Sequence, residues 1–303
     1  MGKKVLISGG TGLLGSKLTI LLQEKGYEVF YLSRNKGEKN GIKYYQWNIS
    51  KEEIEKEAII QADYIIHLAG AGVADNRWTE AYKKEILESR TLSTQLLYKS
   101  LRENDHHVKA FISASAIGIY GNRGDELLYE DAEVADDFLA QVCVAWEDEI
   151  FKIQSLDIRT TAIRVGIVLS DKGGALPQLM TPIKMFVGAP LAQGDQYMSW
   201  IHIDDLCKIF IKALEDEKMQ GVYNGVAPNP LTNEALTKAI ASHISRPVFP
   251  INVPGFALKI IVGEFAESLI GGAKVASNKI ENSNFTFTYP EIGKALDNLL
   301  KHG

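Results

Sequence analysis

Through the first half of the chain, apolar residues come alternately in short unbroken runs and at helical spacing. Val5-Leu6-Ile7-Ser8 is the kind of run a strand buried on both faces requires, and it ends in glycines. Leu14, Leu18, Leu21 and Leu22 then recur at three and four, predicting a helix that Gly26 closes as a C-terminal cap. The same alternation predicts strands at 28–32, 43–47, 64–68, 110–113 and 160–165, with helices at 51–60, 79–102 and 136–154. Parallel strands need crossover connections, so this order predicts an α/β fold: a Rossmann, doubly wound parallel sheet.

After Gly166 the regularity weakens and glycine and proline accumulate, from Gly173-Gly174 through Pro177, Pro182 and Pro190 to Gly194. Such a stretch departs from the sheet and covers its mouth. Helices are expected at 205–215 and 233–242. The apolar stretch from Phe256 to Gly271, interrupted by Lys259, Glu264 and Glu267, reads as an amphipathic core helix. The expected organisation is a dinucleotide-binding domain over 1–170, to which 200–226 returns. A smaller C-terminal substrate region spans 171–303, with a distinct module at about 250–300.

Composition changes this picture little. The 303 residues are 46% hydrophobic and 23% charged, which suits a globular chain and excludes a disordered or collagen-like one. The net charge of −5 gives no overall field for nucleic acid or anionic lipid, so neither is an expected partner, although a local basic site is compatible with it. Cys143 and Cys207 lie far apart, outside any CxxC and away from histidine, so no disulfide framework or metal site is read and a reducing cytoplasm fits best. The first residues lack the features of a signal peptide, and no stretch reaches the ~20 apolar residues of a membrane helix.

The chemistry begins where the first strand meets the first helix. Gly9, Gly12 and Gly15 form a GxxGxxG within Ser8-Gly9-Gly10-Thr11-Gly12-Leu13-Leu14-Gly15. Glycines there permit a tight turn and close approach of a pyrophosphate, and the helix N-terminus offers unpaired N–H groups to the anion. The competing reading is a purely structural turn. At the end of the second strand, where an NAD protein places a carboxylate for the ribose hydroxyl, the chain has Ser33-Arg34-Asn35. A guanidinium beside a hydroxyl binds a 2′-phosphate that a carboxylate would repel, so NADP(H) is the expected cofactor. Leu68-Ala69-Gly70-Ala71-Gly72 ends the fourth strand with the small residues that backbone passing close to a cofactor needs.

Together with these segments, Ser113-Ala114-Ser115, Tyr120-Gly121 and Trp200-Ile201-His202-Ile203-Asp204-Asp205 resemble the extended short-chain dehydrogenase/reductase superfamily. Arg77-Trp78, Ser89-Arg90, Trp146-Glu147 and the stretch from Arg164 to Leu169 are similar to its sugar-nucleotide-epimerase-like branch. The tail from Val253 to Pro290 resembles that branch's C-terminal module of unknown function. The resemblance implies NADP held by the Gly turn, including Thr11, Leu13 and Leu14, by Ser33 and Arg34 at the 2′-phosphate, and by Leu68, Ala69 and Gly70. It also implies contacts from Glu85, Arg90 and Val165. Spacing alone reads Glu85 and Arg90 as a solvated pair on one helix.

The departures bear on mechanism. Members of the superfamily move a proton with a Tyr-x-x-x-Lys pair. Counted back from Glu147, the Tyr position falls on Leu139 and the Lys position on Cys143; the companion Ser/Thr falls on Ala116. An arginine that grips a nucleotide-sugar diphosphate is replaced by Met198. Ser115, Tyr120 and Glu147 are the substitute proton handlers that residue type allows, with strand cap, core and surface helix as their respective structural alternatives. Asp204 is read as a helix cap, His202 as structural, and His106-His107 as a solvated turn. The expected activity is an NADP(H)-dependent oxidoreductase or epimerase acting on a small polar or sugar-like substrate, with non-standard proton transfer and with a homodimer as candidate assembly. The alternative is a non-catalytic NADP-binding regulatory or scaffold protein, for example one associated with cell division.

Overall fold

The computed structural model describes residues 2–300. In chain order the main elements are β1 (Lys4–Ser8), α1 (Leu13–Glu24), β2 (Glu28–Ser33), β3 (Ile42–Asn48), α2 (Lys56–Ile60), β4 (Tyr64–His67), α3 (Glu80–Glu103) and β5 (Ala110–Ala116). Then follow α4 (Phe138–Lys152), β6 (Arg159–Val165), β7 (Ile167–Ser170), α5 (Ala175–Lys184), β8 (Trp200–His202), α6 (Ile203–Glu215) and β9 (Gly221–Gly225). The chain ends in α7 (Asn233–His243), α8 (Gly255–Val262), α9 (Ala266–Ile270), α10 (Asn278–Asn282) and α11 (Ile292–Leu300).

Seven parallel strands lie in the order β9-β6-β5-β4-β1-β2-β3. Two short strands, Gly37–Lys39 and Glu53–Ile54, pair antiparallel with β3. From β1 the chain moves outward to β2 and β3, then returns to β4 on the other side, so the strand order reverses between β1 and β4. A crevice at such a reversal, beyond the carboxyl ends of the strands, is where open α/β sheets hold ligands.

Both sheet faces are covered, which explains the unbroken apolar runs. On one face Leu18 and Leu22 of α1 and Ile209 and Phe210 of α6 pack against Val5, Ile7 and Ile112. On the other, Leu96 and Leu97 of α3 and Trp146 and Ile150 of α4 pack against Leu6, Ile65 and Phe111. A third cluster joins Trp200 to Leu236, Ile240 and Leu296 in the C-terminal part.

Two expected helices are corrected. Only Lys56–Ile60 of the stretch 51–60 is helical: Asn48 caps a single 3-10 turn, Glu52 takes a positive φ of 53°, and Glu53–Ile54 folds back onto β3. The stretch 256–271 is broken at Gly263, whose φ is +69°, and of its apolar side chains Leu258 and Ala266 are buried while Phe256, Ile260 and Ile261 face outward. Phe256 and Ile260 are each 70% exposed. Strand β9, unmarked by any apolar run, joins the sheet beside β6.

Candidate functional site

The Gly turn lies at the reversal between β1 and β4. Gly9 has a φ of +72°, and a Cβ there would come within 2.9 Å of the Leu68 carbonyl carbon. A Cβ on Gly15 would lie 2.4 Å from the Gly9 oxygen. These two glycines let α1 start directly against the strand ends. Gly12 is the cap residue and contributes no side-chain bond, and the first turn of α1 holds no acidic residue. The N-terminal N–H groups therefore have no carboxylate competing for them. Thr11 is exposed at this turn, with Leu13 and Leu14 half-buried beside it.

The facing turn after β4 is held by a buried relay that spacing did not single out. Ser8 Oγ accepts from the Leu68 and Ala69 N–H groups at 3.2 and 3.3 Å, so its own hydrogen points to His67 Nδ1 at 2.6 Å. His67 Nε2 then carries the ring hydrogen toward Thr94 Oγ1 and Ser93 Oγ, at 3.1 and 3.2 Å. Thr94 donates onward to the Arg90 carbonyl at 2.7 Å, and Ser89 Oγ accepts from the Ala71 N–H at 2.9 Å. Burial, reinforced by the Arg90 charge, pushes the His67 pKa down to about 3, so the ring stays neutral. Leu68, Ala69 and Gly70 are thus tied to both β1 and α3.

Arg90 departs from the solvated pair that spacing predicts. Glu85 is exposed, whereas Arg90 turns inward, donating to the Ile86 carbonyl at 2.8 Å with its guanidinium 5.2 Å from the Trp146 ring centroid. It lies against Gly70, where a Cβ would sit 3.2 Å from the guanidinium carbon. Burial lowers its pKa from the ordinary arginine value. Val165, half-buried, ends β6 on the same edge of the sheet.

At the end of β2, the Asn35 N–H donates to Ser33 Oγ at 3.3 Å and Gln46 Nε2 donates to the Arg34 carbonyl at 3.1 Å, fixing the loop. Neighbouring Lys36 is paired with Glu55 at 3.0 Å. The Arg34 side chain is exposed and, among the described residues, has no hydrogen-bond or ion-pair partner.

The substitute proton handlers are not available at the edge. Arg164 Nε and Nη2 donate to the two Glu147 carboxylate oxygens at 2.9 and 2.8 Å, and Ser115 Oγ donates to Glu147 Oε1 at 2.6 Å. Arg164 Nη1 donates to the Tyr120 hydroxyl at 2.9 Å, which itself donates to Asn224 Oδ1 at 2.7 Å. All five residues are buried. Burial opposes the Arg164 charge, but the Glu147 carboxylate overrides it and holds the pKa above the ordinary arginine value. Glu147 is therefore not a surface helix residue, and the Ser115 and Tyr120 hydroxyls belong to an internal network joining α4, β5, β6 and β9. What the edge presents instead is Ala116, Ile117, Gly118 and Leu139, all half-buried. A Cβ on Gly118 would touch Leu139 at 3.4 Å and the Cys143 sulfur at 3.9 Å, so the two positions aligned with the usual Tyr and Lys both border Gly118, carrying an alkyl group and a thiol. Burial and the Glu147 charge push the Cys143 thiol up to about 12.

Asp204 does not cap α6. His202 does, with Nδ1 accepting from the Asp204 N–H at 3.1 Å and Nε2 bonded to Asn298 at 3.2 Å. Asp204 instead pairs with Lys17 of α1 at 2.8 Å. Among the described residues no group of His, Cys, Asp or Glu could hold a metal ion, and no helix is long and apolar enough to cross a membrane.

A doubly wound parallel sheet with a glycine turn at its reversal point defines a Rossmann-type α/β protein of the extended short-chain kind. More narrowly, the chain belongs to the NAD dependent epimerase/dehydratase family, which matches residues 5–224, and residues 253–299 match a domain of unknown function, DUF1731. It is 35% identical over 299 residues to the epimerase family protein YfhF of Bacillus subtilis, covering 98% of this chain and 97% of that protein. Human epimerase family protein SDR39U1 (isoform 2), crystallised with NADPH, superposes with a TM-score of 0.88 at 29% identity, covering 99% of this chain and 100% of that one. A nucleoside-diphosphate sugar epimerase from Corynebacterium glutamicum matches with a TM-score of 0.81 at 35% identity; it covers the whole of this chain, which spans 59% of that larger one.

Proposed function

We propose that the chain is an NADP(H)-dependent oxidoreductase or epimerase for a small polar or sugar-like substrate, working without the usual side-chain acid. One observation carries the cofactor choice: an exposed, unpartnered Arg34 guanidinium at the end of β2, beside Ser33 and in place of a carboxylate. The NADPH in the crystals of the human relative supports the same reading. Gly9, Thr11, Gly12, Leu13, Leu14 and Gly15 hold the pyrophosphate against the α1 N-terminus, and Ser33 and Arg34 take the 2′-phosphate. Leu68, Ala69, Gly70 and Val165 pack along the dinucleotide, with Glu85 and Arg90 reaching it from α3. The dinucleotide domain comprises 1–170 with 200–226 returning to it, and the region 171–303 closes over the substrate.

When bound, the dinucleotide supplies or accepts a hydride. Ala116, Leu139 and Cys143 exclude water from one side and offer no acid, so the proton reaches the substrate oxygen from solvent. The same apolar filling favours a second reading, in which NADPH is a bound sensing or structural ligand and no turnover occurs. Fluorescence titration tests the cofactor: Arg34→Asp is expected to weaken NADPH at least tenfold and leave NADH nearly unchanged. Equal NADPH affinity for both proteins would refute the 2′-phosphate role. Loaded protein that oxidises its NADPH against a panel of carbonyl compounds supports the enzyme; a tightly bound but redox-inert dinucleotide supports the second reading.

A further inference from the structure

A strip of apolar side chains faces outward on the C-terminal part. Met185, Phe186 and Val187, just past α5, are each more than half exposed, and so are Phe256, Ile260 and Ile261 of α8. The two groups are parts of one surface. The Phe249 N–H donates to the Gly188 carbonyl at 2.8 Å, and the Val253 N–H to the Pro190 carbonyl at 2.9 Å, so the segments run side by side. Exposed Phe249 and Ile251 lie between them. Phe186 is held at a φ of +63°, a conformation that a bulky residue rarely adopts, with its ring under the Arg246 guanidinium at 4.8 Å. Phe256 and Ile260, four apart on α8, share a face, while Leu258 is the only buried side chain of that helix.

Charge says what covers this strip. Residues 182–190 and 245–262 contain Lys184, Arg246 and Lys259 and no Asp or Glu. At the whole chain's frequency of 38 acidic residues in 303, segments of that combined length would carry about three. Lys259 is paired with Glu267 at 3.2 Å and Glu264 with Lys83, whereas among the described residues no carboxylate pairs with Lys184 or Arg246. A second copy docking through the same patch would set these cations against themselves. An apolar ridge with a basic margin is instead the pattern of an interfacial helix on an anionic bilayer, where aliphatic and aromatic side chains enter the acyl boundary and Lys and Arg meet the headgroups.

We propose that this surface docks the protein on anionic lipid membranes. The docking does not depend on the cofactor reading. The test is co-sedimentation of the full chain with vesicles of phosphatidylcholine alone, or of phosphatidylcholine mixed two to one with phosphatidylglycerol. Binding to the mixed vesicles at low salt, and little to the neutral ones, is expected. Phe256→Ser combined with Ile260→Ser should weaken it at least tenfold. Removing the two unpaired cations (Lys184→Ser, Arg246→Ser) should weaken it on the order of thirtyfold, at about 1 kcal/mol per cation. Ile20→Ser, an exposed apolar residue on α1, is the control expected to bind normally, and unchanged melting temperatures establish that every variant is folded. The proposal is overturned by absence of binding to the mixed vesicles or by equal binding to neutral ones. Binding to polyglutamate but not to vesicles overturns it too, as does a dimer in size-exclusion chromatography that the Phe256/Ile260 variant dissociates.

Discussion

Replacing Glu147 with Gln should destabilise the protein well beyond the loss of one hydrogen bond. The carboxylate accepts two parallel N–H bonds from Arg164 and an O–H bond from Ser115, and Glu147 and Arg164 are 7% and 5% exposed. Glutamine keeps the shape but turns an NH2 group toward guanidinium N–H groups and leaves the Arg164 charge without a counterion. Breaking a buried pair in this way costs about 3–5 kcal/mol. With an unfolding entropy of roughly 2.1 cal/mol/K per residue over a chain of this length, that corresponds to a melting temperature lower by about 5–8 °C. Urea unfolding followed by tryptophan fluorescence gives the free energy, and calorimetry gives the temperature. The double variant Glu147→Leu with Arg164→Met removes both charges at similar volume and should recover most of the loss, because Tyr120 and Asn224 still satisfy each other. A Glu147→Gln cost below about 1 kcal/mol, or a double variant as unstable as the single one, would show that the network is solvated and the reasoning wrong.

Acid should act through His67. Unfolded, it protonates near its ordinary 6.5; folded, only near about 3, so its stabilising contribution is complete above the first value and is lost as pH falls toward the second. Between pH 7 and pH 5 the unfolding free energy should drop by about 2 kcal/mol on this account, and His67→Asn should flatten that slope; an identical slope in the variant refutes the assignment. His202, whose pKa is also lowered by burial, adds in the same direction. Gly15→Ala should displace the Gly turn, since the new Cβ would meet the Gly9 oxygen at 2.4 Å: a loss of about 1–3 kcal/mol in stability and at least tenfold in NADPH affinity is expected, and unaltered affinity would remove the turn from the site.

The parallel strands were legible because burial on both faces writes them as unbroken apolar runs, and the Gly turn because its position between strand and helix adds meaning to its spacing. What failed was whatever depended on a distant partner. Glu147 resembled a surface residue because Arg164, 17 positions later on β6, is invisible to local spacing. His67, Ser93 and Thr94 carried no motif; their meaning comes from the packing of α3 on β4. In 51–60 the sequence suggested a helix, but Glu52 at positive φ and the hairpin onto β3 overrode it. The Phe256 stretch was read as core from its apolar content; Leu258 and Ala266 are indeed buried, but Phe256, Ile260 and Ile261 stay exposed.

Asp205 is fully buried at the start of α6, and its two oxygens accept the N–H groups of Thr288 and Tyr289 at 3.0 and 2.8 Å, with Tyr289 stacked on His202 at 3.9 Å between ring centroids. The carboxylate is thus satisfied by backbone 83 and 84 residues further along. Shortening the chain before this tail would leave that buried carboxylate with only Lys208, 4.0 Å away, a different injury from exposing a patch of apolar surface. During synthesis, α6 must keep that carboxylate wet or protonated until residues 288 and 289 have emerged. Assembly of the sheet's covering helix and docking of the 288–289 segment are therefore one event, and that segment could be dispensed with only if Asp205 changed as well.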